Sequence, residues 1–275
     1  MNGPQIHRLP DGRLHLNHGP IDLICQAWGD ATAIQAAYLR AALRFDGLLA
    51  ELAAELPALR SENSALNGPI ARVMARAVAP FRPAFITPMA AVAGAVAEAV
   101  LAAMVNPTIP RAYVNNGGDI ALHLARGQSL TSAISTSPHR FTIHAEDAVR
   151  GIATSGWRGR SFSFGIADSV TVLAETASMA DAAATMIANQ VDLPGHPAIH
   201  RAAANSLQTD SDLGCRRVTV GVGSLTTAET ARALDRGAAA ANGFRSRGLI
   251  IAAALFLNSD LRISGALTLK EPEHA

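Results

Sequence analysis

GIATSGWRGRSFSFGIADSVTVLAETASMADAAATMIAN, residues 151–189, decides the fold, because it sets a glycine-arginine loop, an apolar strand and an alanine-rich helix in immediate succession. Gly156 and Gly159 open backbone angles closed to other residues, which lets neighbouring N–H groups converge on a phosphate. Arg158 and Arg160 add charge and forked donors beside Thr154 and Ser155. The pattern predicts a strand over 169–174 and a helix over 179–189 that carries Asp181 and Thr185 one turn apart on a single face. A carboxylate and a hydroxyl so placed offer oxygen ligands to a hard cation such as Mg2+. The same residues have ordinary uses: Asp near a helix start caps it, and Thr in a helix bonds back to its own carbonyls.

Upstream, apolar residues at helical spacing from Ile34 to Leu56 follow Asp30, a good N-cap, with Gly47 as a bend and Pro57 closing the run. A second helix starts near Asn67 with Pro69 in its first turn. PMAAVAGAVAEAVLAAMV at 88–105 is small almost all round, so it predicts a central helix that another backbone approaches closely. Strand character follows at 112–114, 120–124 and 141–145, with NNGGD at 115–119 as the tight turn between the first two. Downstream come a strand over 217–223 and a helix over 228–241, opened by a Thr226/Glu229 capping box and ended by Asn242-Gly243. Late strands at 249–257 and 261–269 complete an α+β pattern: antiparallel sheets packed with helices around a central Ala-rich helix, in one domain spanning 1–275.

Composition removes several classes of function. A net charge of +1 with 16% charged and 4% aromatic residues leaves neither a basic footprint nor stacking platforms for nucleic acid. Cys25 and Cys215 have no metal-ligand spacing and read as buried free thiols. No basic-apolar leader opens the chain and its longest apolar run, 249–257, is half a membrane span, so the expectation is a cytoplasmic protein with no membrane partner. Gly221–Thr226 lacks the third glycine of a dinucleotide fingerprint. The prolines around His196 and His200 break the helix that would align those rings on a metal. Ser155 has no Gly-x-Ser-x-Gly elbow. Asp119 either caps its turn or reaches a ligand that the adjacent glycines admit.

NNGGD at 115–119, ATSG at 153–156 and ADAAAT at 180–185 resemble, in order and spacing, the ApbE-like flavin transferase superfamily. PMAAVAGA at 88–95, NGGD at 116–119 and SFGIAD at 163–168 are most similar to its cytoplasmic UPF branch. The resemblance spans 88–189 and implies an ApbE-like α+β fold that binds FAD or a similar nucleotide-like or anionic ligand, with Mg2+ held by Asp181, the Ala184 carbonyl and Thr185. Asn116, Gly117, Gly118 and Asp119 are then expected to line the ligand pocket, with Thr154, Ser155, Gly156, Arg158 and Arg160 at its anionic portion. Asp181 and Asp168 are the candidate catalytic carboxylates, Asp168 as an acid or base or as a cap. The chain departs from that pattern in two places. Ala93 stands where the transferases carry a lysine, and SFSFGIADS lacks their His-x-x-Asp-Pro segment. Flavin transfer to protein is therefore not the expectation. The expected function is a Mg2+-dependent transferase or pyrophosphate-cleaving reaction on FAD or a similar cofactor, the alternative a noncatalytic cofactor-binding protein. A third alternative is a structural subunit, with the Ala-rich helix as its interface in a homo-oligomer.

Overall fold

A computed structural model describes residues 3–63, 65–134 and 139–268. The chain opens on three strands, β1 (Gln5–Arg8), β2 (Leu14–His18) and β3 (Ile21–Trp28), then turns helical in α1 (Ala31–Asp46), α2 (Leu48–Ala54), α3 (Leu56–Leu59) and α4 (Pro69–Val78). After a 3-10 turn at Pro88–Ala91 come α5 (Val92–Met104) and five strands: β4 (Arg111–Asn116), β5 (Asp119–Leu124), β6 (Ser129–Ala133), β7 (Arg140–His144) and β8 (Gly151–Ser155). The rest is β9 (Ser169–Ala174), α6 (Ala177–Gln190), β10 (Ile199–Ala203), α7 (Ala204–Leu207), β11 (Arg217–Val222), α8 (Thr227–Ser246), β12 (Ala252–Leu257) and β13 (Asp260–Ser264). Nine strands form one antiparallel sheet in the order β1-β2-β3-β4-β5-β8-β9-β12-β13, while β6-β7 and β10-β11 are separate hairpins. The fold is α+β.

Alternation along the strands sorts the core into two layers. Ala121, Ala153, Val170, Val172, Ala253 and Leu255 face the main core, which also holds the buried sides of α1, α4, α5, α6 and α8. Their neighbours Leu122, Ile152, Leu173, Ala252, Ala254 and Phe256 face the other way, against Phe141 and Ile143 of β7. Strands β9 and β12 are buried on both faces, which is why β12 reads as an unbroken apolar run and β9 departs from one only at Ser169 and Thr171.

Helices α5 and α6 meet backbone to backbone. A Cβ on Gly94 would lie 2.3 Å from the Ala177 carbonyl oxygen, and one on Gly151 would lie 2.2 Å from Thr176. The first turn of α6 is thus wedged between the central helix and the sheet, a placement that only glycines permit. Glu98 of α5 accepts a hydrogen bond from the Ser178 N–H at 2.6 Å and locks the same junction.

Several boundaries differ from the sequence expectation; the strand expected over 249–257, for example, begins only at Ala252. The helical run does not end at Pro57, which sits in the first turn of α3, where a missing N–H costs nothing. Helix α8 continues through Asn242-Gly243 to Ser246, because the Asn242 side chain accepts from the Ser264 hydroxyl at 2.7 Å. It ends instead at Gly248, left-handed at φ 71°, with the Leu249 N–H returning to the Phe244 carbonyl. The 261–269 strand is shorter than expected, closing at Ser264, and its last expected residue lies outside the described residues.

Candidate functional site

The site is assembled by the ends of β5, β8 and β9 together with the first turns of α6. Gly117 and Gly118, at φ 65° and 115°, form the two-residue turn of the β4-β5 hairpin, which the Asn115 side chain stabilises by accepting from the Gly118 N–H at 2.8 Å. Asp119 leaves that turn at the head of β5. The β5-β8 ladder pairs Ile120 with Ile152 and stops, and the Asp119 carboxylate takes over by accepting from the Thr154 N–H at 3.1 Å. The Thr154 hydroxyl shares a hydrogen bond with that of Thr171 on β9 at 3.0 Å.

The loop between β8 and β9 folds back on its own neck. The Trp157 N–H donates to the Ala167 carbonyl at 3.0 Å, and a Cβ on Gly156 would fall 2.4 Å from the Asp168 carbonyl oxygen. Asp168 is fully engaged there: one carboxylate oxygen accepts from Arg158 Nε at 3.0 Å, the other from the Asn258 N–H at 2.6 Å. That pairing ties the loop to the β12-β13 turn.

Helix α6 is capped by the Thr176 side chain, which accepts from the Met179 N–H at 3.2 Å, so Asp181 is released from any capping duty. The Asp181 carboxylate instead accepts from the Gly94 N–H of α5 at 3.0 Å. Asp181 and Thr185, on one helix face, both line the cavity.

The electrostatics of the two aspartates set this place apart. Burial pushes the Asp119 carboxyl up to about 7, against the pull of the Thr154 N–H and of Arg160. Burial also holds Asp181 well above the usual carboxylate range, and the neighbouring charges of Asp119 and Glu98 add to this against the Gly94 and Ala93 N–H groups. Two recessed carboxyls, both held up by burial and one further by the charge of the other, are a pair short of positive charge.

The cavity above them has a volume of about 320 Å3, and Gly117, Gly118, Asp119, Thr154, Ser155, Gly156, Arg158, Arg160, Asp168, Asp181 and Thr185 all reach its wall. Two expected residues do not. Asn116 lies beneath, its buried amide donating to the Ala93 carbonyl at 3.2 Å, and Ala184 is buried against the core. A second lobe of about 390 Å3 adjoins the first and shares Ala93, Asp119, Arg160, Asp181 and Thr185 with it. Its far wall is made by Arg60, Gln208, Asp210 and Asp212, which the sequence reading did not single out. Arg60 pairs with Asp210 at 2.7 Å, and the Thr87 hydroxyl donates to Asp212. Ala93, where the resemblance sets a lysine, opens onto both lobes.

As a donor set, Asp119, Asp181 and the Thr185 hydroxyl are three hard oxygens, two of them recessed carboxyls that become anionic ligands on giving up their protons, which suits Mg2+. Among the described residues no cluster of three or more His, Cys, Asp and Glu offers an alternative metal site, and His196 is hydrogen-bonded to Glu229 at 2.9 Å. No described helix is long and apolar enough to cross a membrane.

An antiparallel α+β fold with a two-lobed, acid-floored cavity defines the class of the molecule. Over residues 6–265 the sequence matches the family described as "AbpE bacteria", and the chain belongs to that family, as the sequence resemblance indicates. A UPF0280 protein of Methanopyrus kandleri is 45% identical over 123 residues, covering 44% of this chain and 48% of the relative. One of Methanococcoides burtonii is 37% identical over 139 residues, covering 47% and 56%. The chain thus spans about half the length of the curated relatives it matches. Among solved structures, the apo crystal structure of the Pseudomonas stutzeri flavinyl transferase ApbE is similar over 87% of this chain and 73% of that one, with 14% identity and a TM-score of 0.36.

Proposed function

We propose that the chain is a cytoplasmic, Mg2+-dependent enzyme acting on FAD or a similar phosphorylated cofactor, in a single domain and without transfer of flavin to protein. The observation that carries the reading is the pairing of two recessed carboxylates with a guanidinium-bearing, glycine-lined loop across one cavity. Asp181 and Thr185 would hold the metal together with Asp119, which the family resemblance placed only in the ligand pocket. When bound there, Mg2+ would supply charge neutralisation for a pyrophosphate and its leaving group.

The chain's own residues do the rest. Gly118 leaves the backbone open to close approach by phosphate oxygens, whereas Gly117 is covered by the Arg160 guanidinium and Gly156 packs on the Asp168 carbonyl. Asp168 spends both oxygens on Arg158 and Asn258, which assigns it to holding the loop rather than to moving a proton. Ala93 leaves open the space that a lysine would fill. That vacancy also supports the second reading, a cofactor-binding protein without turnover.

Mass spectrometry of the small molecules carried by the purified protein, followed by incubation with FAD and Mg2+, tests the choice. Release of FMN and AMP supports the enzyme; bound FAD without product supports the binding protein. An unrelated ligand, with no response to FAD, removes the flavin assignment.

A further inference from the structure

The two arginines of the loop are not equivalent. Arg158 has its Nε on Asp168, its guanidinium carbon 4.7 Å from the centre of the Trp157 ring, and a side chain that is 65% exposed. Its charge is spent on the loop. Arg160, two residues on, lines both lobes, and its guanidinium lies over the β4-β5 turn so closely that a Cβ on Gly117 would sit 1.8 Å from Nη2. Among the described residues Arg160 has no hydrogen-bonded or ion-pair partner, and the charge it acts on is that of Asp119. Once a cation satisfies Asp119 and Asp181, the five donors of this guanidinium are left facing the cavity with nothing to bind.

We propose that Arg160, not Arg158, is the anion-anchoring residue, and that it grips a phosphoryl group at the junction of the two lobes, with Gly117 kept free of a side chain to seat it. The proposal rests on the reading that the cavity takes a phosphorylated ligand. Charge-assisted hydrogen bonds of this kind change affinity by about ten- to a hundredfold.

Calorimetric titration of inorganic pyrophosphate and of FAD, each with Mg2+, into the wild type and variants decides it. R160A should weaken both ligands by that factor, R160K should recover part of the pyrophosphate affinity, and R158A should lose less than R160A. G117A, which displaces the guanidinium, should weaken binding more than G118A. Gly118 is also left-handed at φ 115° but has no neighbour within 4 Å of an added Cβ, so backbone strain alone is controlled. If R160A does not fold, R160K and the glycine pair carry the decision. Wild-type-like FAD binding by R160A, or an equal loss in R158A, overturns the anchor and leaves the cofactor reading standing. A wild type that binds neither ligand removes both.

Discussion

Helices α6 and α8 both begin with a threonine cap and carry an acid within their first turns, yet the two acids are driven in opposite directions. In α8, Glu229 completes a capping box: the Thr226 N–H and hydroxyl donate to it, His196 adds a third bond, and its carboxyl is pulled down to about 2. In α6, Thr176 caps without help, and Asp181 is buried beside Asp119 and pushed up. A carboxylate surrounded by donors is held ionised, whereas one buried and left short of them is held protonated.

The largest effect separating the two helices is on turnover. D181A should fold and lose Mg2+-dependent activity by on the order of a hundredfold or more, as loss of a catalytic metal requires. E229Q should keep that activity while lowering Tm by about 1–3 °C, because the amide keeps the capping-box geometry but loses the charge that strengthens it. Unchanged turnover in D181A would remove the metal from Asp181.

Next in size is the wedge that seats α6. G94A must displace the Ala177 carbonyl, 2.3 Å from the added Cβ, so it should lower Tm by several degrees and also abolish the protection that Mg2+ gives. A stable G94A that still responds to Mg2+ would show that the helix contact does not position Asp181.

The pH dependence should differ in sign. Asp119 has a raised carboxyl, so its contribution to stability is complete below the ordinary carboxylate range and is lost as pH rises through about 7. Glu229 is lowered, so its contribution is present above its ordinary value of 4.5 and is lost as pH falls towards about 2. In melts without divalent cation, D119N should therefore exceed the wild type at pH 8 and match it near pH 4, while E229Q falls short of the wild type at neutral pH and converges on it at acid pH. Mg2+ should close the D119N gap at pH 8. Equal curves for D119N and the wild type would mean that Asp119 is not under strain.

The smallest effect concerns the helix that the sequence reading cut short. Gly243 lies inside α8 with nothing within 4 Å of an added Cβ, so G243A should raise Tm by about 1–3 °C. A fall would mean that Gly243 has a structural use beyond the helix.

From Gly156 to Asn189 the chain was legible because each signal there is local: the glycines, the strand and the i, i+4 pair all come from neighbouring positions, whereas strand β8 just before it was not expected. The β4-β5 turn was legible for the same reason. Strands β2 and β3 have no counterpart in the sequence expectation, although LHLNH and IDLICQAW alternate buried and less buried positions with a period of two. Helix α8 overran its expected end because a tertiary bond from Ser264 to Asn242 outweighs a local stop signal. The meeting of Asp119 with Asp181 was hidden, since it depends on the strand order β5-β8-β9 and on the Gly94 contact. The engagement of Asp168 was hidden too, because its partner Asn258 is 90 residues away. Arg60, Asp210 and Asp212 of the second lobe carry no sequence signal beyond being polar.

Calorimetric titration of Mg2+ in the presence of FAD, run in two buffers of different protonation enthalpy, tests the paired-carboxylate site most directly. The site predicts saturable binding near pH 7 with net proton release, as the protonated pair gives way to the metal, and loss of both signals in D181A. Mg2+ binding of equal strength in D181A, or binding without proton release at pH 7, would contradict it.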